Sequence, residues 1–127
     1  MHYTIGQVSE ITGFSKYTLR YYDKEGLLPF VERTAAGVRN FSDSDLPFLD
    51  LISCLKGTGM SVKEIRNFIE WCMEGDTTLE ARLHMFEEHK KTVEEKLVSI
   101  QTNLDKINHK ISYYQKAVEA VDENKLA

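Results

Sequence analysis

The sequence predicts a mainly α-helical chain: a winged helix-turn-helix head over residues 1–77 with a small β-hairpin wing, a long dimerising coiled-coil helix over 78–121, and a short tail over 122–127. Three observations carry this prediction. Two short amphipathic segments are joined by Thr12-Gly13-Phe14-Ser15, an elbow with the length and the glycine of a helix-turn-helix. Thr34-Ala35-Ala36-Gly37 lies between Val31-Glu32-Arg33 and Val38-Arg39-Asn40-Phe41, a strand, a glycine-containing turn and a second strand. From Leu79 onward, apolar residues recur in alternating steps of four and three, the period of a coiled-coil seam.

The helix starts are legible in turn. Thr4 with Gln7, Ser61 with Glu64 and Thr77 with Glu80 each set a hydroxyl three residues before an acid or amide, the spacing with which a capping box satisfies free backbone N–H groups. Helices are therefore expected to open near residues 5, 62 and 78. Ser15 and Ser42 are simpler N-cap residues, giving helices over 16–25 and 43–57. Ile5, Val8, Ile11 and Phe14 form an apolar stripe over which Leu19, Tyr22, Leu27 and Leu28 can close.

In the last segment, positions 79, 83, 86, 90, 93, 97, 100, 104, 107, 111, 114, 118 and 121 hold eleven aliphatic or Phe residues, with Lys90 and Tyr114 as exceptions. A polar residue at a seam position fixes register at some cost in stability. A helix over 79–121 is about 64 Å long, and the head is too small to cover its stripe. The expected partner is the same helix of a second chain, in a homodimer; a single helix folded back on its own domain is the alternative. Parallel and antiparallel pairing are not distinguished by the period.

A chain of 127 residues with 42% hydrophobic residues can bury one small core plus one extended element. Its formal net charge is −4, and residues 1–78 hold eight Lys or Arg against eleven Asp or Glu, so contact with nucleic acid has to come from particular faces. No stretch is long and apolar enough for a membrane span, and the start, Met1-His2-Tyr3-Thr4, lacks a leader pattern; a soluble, cytoplasmic protein is expected. Cys54 and Cys72 are far apart, which fits free thiols in a reducing compartment. No paired carboxylates, nucleophile with a base, or phosphate-cradling glycine loop can be found, so no enzymatic activity and no cofactor are expected.

On the second helix Tyr17, Arg20, Tyr21 and Lys24 fall at i, i+3, i+4 and i+7 and share one face opposite Leu19 and Tyr22. Arg pairs bidentately with guanine or phosphate, Tyr hydroxyls donate to phosphate, and the helix N-terminus at Ser15 adds a favourable dipole. Together with Lys16 and Thr18 of the same helix, these are the candidate DNA contacts. Arg33 and Arg39 of the wing are candidates for the flanking backbone, and Lys56, Thr58 and Lys63 for a further backbone contact. A solvated amphipathic helix is the alternative reading of this face, and elbows of this kind also occur in proteins that do not touch DNA.

Tyr3-Thr4-Ile5-Gly6, the run Leu19-Arg-Tyr-Tyr-Asp-Lys-Glu-Gly-Leu-Leu-Pro29, Gly37-Val38-Arg39 before Phe41, and Ser42-Asp43 with Asp45-Leu46 stand together in an order that resembles the MerR family of transcriptional regulators. The resemblance covers the whole chain. It implies an antiparallel coiled-coil homodimer on a pseudo-palindromic operator of double-stranded promoter DNA, within a spacer too long for RNA polymerase. It also implies activation by bending and untwisting that spacer, so that polymerase is engaged indirectly. Duplex deformation is a physically reasonable use of binding energy, since its cost of a few kcal/mol is offset by contacts.

The signal is read from further residues. The sequence ends six residues after Val121, so a ligand domain of the multidrug-sensing kind is not expected. Nothing after Cys72 is a cysteine, and Cys72 with His84 or His89 is a poor soft-metal set, so no metal site is expected. The coil histidines His84, His89 and His109 lie off the seam. Ile52-Ser53-Cys54-Leu55-Lys56, Gly59-Met60-Ser61, Glu74-Gly75-Asp76 and Glu80-Ala81-Arg82 look like the branch that answers aldehydes and other thiol-reactive electrophiles, which implies Cys54 as sensor. Two readings of Cys54 stay open on its own helix: that sensor, or a small core residue at the margin of the apolar face beside Asp50. Asp50 and the helix C-terminus both disfavour a thiolate, with Lys56 a partial counterweight. Cys72 follows Val62, Ile65 and Ile69 on an apolar face and reads as core. A metal-sensing regulator and a coiled-coil adaptor whose head binds protein are the alternative functions.

Overall fold

Hydrophobic periods and caps of this kind resolve, in a computed structural model that describes residues 1–126 and their side chains through residue 124, into nine elements. These are β1 (His2–Tyr3), α1 (Ile5–Thr12), α2 (Lys16–Lys24), β2 (Glu32–Arg33), β3 (Arg39–Ser42), α3 (Asp45–Gly57), α4 (Val62–Glu74), a 3-10 turn at Asp76–Thr78, and α5 (Leu79–Leu126). The chain divides into a unit spanning Met1–Glu87 and a second beginning at Glu88. Helix α5 continues through the segment expected to be a tail, and Ala127 lies outside the described residues.

Thr4 forms the full capping box of α1, accepting from the Gln7 backbone N–H at 3.2 Å while the Gln7 side chain accepts from the Thr4 N–H at 2.9 Å. Helix α1 ends at Gly13, whose φ of 81° is the left-handed conformation that releases the chain into the elbow. Ser15 then caps α2, accepting from the Thr18 N–H at 3.0 Å. The expected β-hairpin is present, and its second strand also pairs with β1, giving an antiparallel sheet in the order β1-β3-β2. His2 lies opposite Ser42 and Tyr3 opposite Phe41; Glu32 lies opposite Asn40 and Arg33 opposite Arg39. A two-residue strand has no alternation to betray it, so β1 carries no sequence signal.

Extension of β3 through Ser42 moves the start of α3 from residue 43 to Asp45. Ser42 is a strand residue rather than a cap, and its N–H instead donates to the buried Asp45 carboxylate at 2.8 Å. Ser61 caps α4 as expected, accepting from the Glu64 N–H at 3.1 Å. Thr77 does not cap α5. The 3-10 turn runs straight into the helix, and the neighbouring Thr78 is buried with its hydroxyl donating to the carbonyls of Trp71 and Gly75.

The head core is built from Val8, Leu19, Tyr22, Leu27, Leu28, Phe41, Leu49, Ile52, Leu55, Met60, Ile65, Phe68 and Ile69. Ile11 departs from the expected stripe and is 56% exposed. At 100° per residue Ile5 and Ile11 lie about 60° on either side of the buried Val8, and the core covers the Ile5 side. Phe86, a seam position by period, packs edge-to-face on Phe68 with ring centroids 5.1 Å apart. The first turns of α5 thus complete the head. In the second unit Leu97, Ile100, Leu104, Ile107, Ile111, Tyr114, Val118 and Val121 are exposed along the helix.

Candidate nucleic-acid interface

Helix α2 is anchored through Leu19 and Tyr22, both in the head core, which turns the opposite face outward. Tyr17 is 80% exposed, and Lys16, Arg20 and Lys24 are exposed as well. The stem of Lys16 runs beside Gly6, where a Cβ would meet its Cε at 3.6 Å. Thr18 is half-buried, and its hydroxyl is hydrogen-bonded to Ser15 Oγ at 2.9 Å within the cap.

Tyr21 and Lys56 meet directly. The Lys56 ammonium lies 4.3 Å from the Tyr21 ring centroid and donates to its hydroxyl at 3.3 Å, so the C-terminal end of α3 is tied to α2. A second tie comes from α4: Arg66 Nε donates to the Glu25 carbonyl at 2.8 Å, and an Arg66 terminal nitrogen lies 3.6 Å from the Glu25 carboxylate. Lys63 is exposed on the first turn of this same α4.

The wing arginines are brought together rather than left free. Arg33 and Arg39 both donate to Asp23 Oδ2 of α2, at 2.8 and 2.6 Å, and Arg33 also donates to the Gly37 carbonyl at 3.1 Å. The Asp23 side chain is only 16% exposed. Asp23 and Arg66 were not singled out in the sequence: an acid amid cations, or an Arg on an amphipathic helix, has the pattern of a solvated face. Their partners lie ten or more residues away, beyond the reach of helical spacing.

At the start of the chain, Tyr3 donates to Asp43 Oδ1 at 2.6 Å and the Met1 amino group lies 3.2 Å from Oδ2. The hydrogen bond from Tyr3, and then that from the amino terminus, holds the Asp43 carboxyl below its ordinary range; the same bond to Asp43 raises the Tyr3 phenol. Cys54 is an exposed free thiol on α3, outside the core that its neighbours Ile52 and Leu55 enter. Cys72 is half-buried against the core, with an Arg82 guanidinium nitrogen 3.9 Å from its sulfur. Among the described residues no cluster of three or more His, Cys, Asp or Glu could hold a metal ion, and no helix is long and apolar enough to cross a membrane.

The chain as a whole is similar to known proteins. The family model described as MerR HTH family regulatory protein covers residues 3–70. An uncharacterized HTH-type transcriptional regulator of Haemophilus influenzae is 48% identical over 117 residues, 92% of this chain and 87% of the relative. A crystal structure of HiNmlR, a MerR family regulator lacking the sensor domain and bound to promoter DNA, has 48% identity and a TM-score of 0.84, covering 92% of this chain and 93% of that one. A MerR family transcriptional regulator from Bacillus thuringiensis has 42% identity and a TM-score of 0.82 over 88% of this chain and 98% of that one. With relatives that are transcriptional regulators and not enzymes, the chain belongs to the MerR family of helix-turn-helix DNA-binding regulators.

Proposed function

We propose that this regulator binds a pseudo-palindromic promoter operator as a homodimer joined through an antiparallel pairing of α5, and activates transcription by distorting the spacer DNA. The observation that carries this reading is the exposed Lys16, Tyr17, Arg20 and Lys24 surface of α2, with Lys56 and the Arg33–Arg39 wing tied to the same helix. Lys63 supplies a further phosphate contact from α4. The HiNmlR structure, bound to promoter DNA, supports the choice of ligand. The row of exposed aliphatic residues on α5 supports self-association, since a stripe of that length is costly in water.

The signal in this reading is a thiol-reactive electrophile such as an aldehyde, and its receptor is Cys54. Thiolate sulfur adds to the carbonyl carbon, the carbonyl π bond opens, and the oxygen takes up a proton to give a hemithioacetal. Exposure of Cys54 supports access by a small electrophile. Run-off transcription from the promoter nearest the protein's own gene, with and without formaldehyde or methylglyoxal, tests this step. Induction by the natural chain that disappears in Cys54→Ala is the expected result; equal responses would place the signal elsewhere.

A further inference from the structure

We propose that Asp23 is a positioning residue for DNA recognition, yoking the wing to the end of α2 so that helix and wing meet a duplex as one preset unit. The inference rests on the DNA-binding reading above and names a residue that reading does not use. Arg33 and Arg39 are direct cross-strand partners in the hairpin, and like charges set opposite one another push strands apart. A single oxygen, Asp23 Oδ2, accepts from both, at 2.8 and 2.6 Å. Through Arg33 the same chain of bonds reaches the wing turn at the Gly37 carbonyl, 3.1 Å away. Arg39 is the deeper of the two arginines, its side chain 23% exposed against 50% for Arg33, and its Nε is buried with no hydrogen-bond partner among the described residues.

The physical consequence is a separation of affinity from discrimination. Free arginines on a loose wing attract any duplex through phosphate charge. Arginines fixed relative to α2 match a backbone only when the helix is also seated on its own base sequence, and that presetting removes an ordering cost from the specific complex alone. Two guanidinium charges on one carboxylate also leave a net of one positive charge at the wing root. Neutralising Asp23 therefore raises the charge facing DNA while loosening its placement.

The experiment compares the natural dimer with Asp23→Asn and Asp23→Glu, titrated by fluorescence anisotropy at fixed salt. The two probes are a duplex of the promoter region nearest the protein's own gene and a scrambled duplex of equal length; thermal melting is recorded alongside. For Asp23→Asn the expected result is a fall of about tenfold in the ratio of promoter to scrambled affinity, the scale of one lost charge-assisted contact. Binding to the scrambled duplex should hold or tighten, and Asp23→Glu, which keeps the charge, should recover part of the ratio. An unchanged ratio in Asp23→Asn would overturn the proposal. So would equal losses on both duplexes together with a lowered melting temperature, the mark of a residue that only holds the fold. If the natural dimer itself prefers neither duplex, it is the DNA-binding reading that fails, and the yoke with it.

Discussion

Arg20 has the least ambiguous position in the proposed interface, because its neighbours Leu19 and Tyr22 are core residues that fix which way it faces. Arg20→Ala should weaken operator binding by about 1–3 kcal/mol, as loss of a base or phosphate contact does, with the dimer and its melting temperature unchanged; electrophoretic shift and sedimentation check the two halves. Arg33 and Arg39 are a different case. Their residue types were legible as phosphate ligands, but their common attachment to Asp23 was not, since it joins segments whose spacing sets no period. The Tyr3–Asp43 bond makes a pH prediction. Asp43 is held below its ordinary range, so its contribution is present above about pH 4 and fades as pH falls toward the folded value. Tyr3 is raised, so its contribution is present below about pH 10 and is lost as pH climbs past that value. Tyr3→Phe should flatten both dependences in thermal melts at low, neutral and high pH; an unchanged acid limb would show that the amino terminus alone holds Asp43.

Among the elements, α2 depends on its two ends. Its start was readable from Ser15, while its C-terminal attachment was not, because Arg66 reaches Glu25 from a helix forty-one residues on. Gly26 follows with a φ of 75°, and a Cβ there would lie 3.3 Å from Arg66 Nε. Gly26→Ala should therefore cost more than about 1 kcal/mol of head stability. Pairing it with Arg66→Ala should relieve only the steric part, since the backbone strain remains; a double-mutant cycle by denaturant unfolding measures the difference. The two boundary differences each come from the element that precedes the helix. At Ser42 the residue is taken up in the pairing with β1, which delays α3 to Asp45, and before α5 the 3-10 turn supplies a backbone bond, from the Leu79 N–H to the Asp76 carbonyl, where Thr77 was expected to cap.

At the scale of the whole molecule, the seam of α5 was the strongest signal in the sequence, yet period alone does not say which body covers each position. Phe86 is covered by Phe68 of the head, whereas Ile107 and Ile111 are exposed. Replacing Ile107 and Ile111 together by Lys should shift the protein to monomer in sedimentation and take operator affinity down with it, because a pseudo-palindrome is read by two heads. A dimer that survives this change would move the interface away from that stretch. The overall charge of −4 gave no hint of DNA binding, because it averages over the whole chain: the eight Lys and Arg of residues 1–78 lie on α2, the wing, the end of α3 and α4, while eight more are strung along α5 and the acids are spread throughout. The most direct measurement is a salt titration of binding to the promoter duplex by the natural protein and by Arg20→Ala. The expected result is a logarithmic affinity that falls linearly and steeply with the logarithm of salt concentration, and is low throughout for the variant. A folded natural protein that shows no salt-sensitive duplex binding, or an Arg20→Ala variant that binds as tightly as the natural protein, would contradict the account.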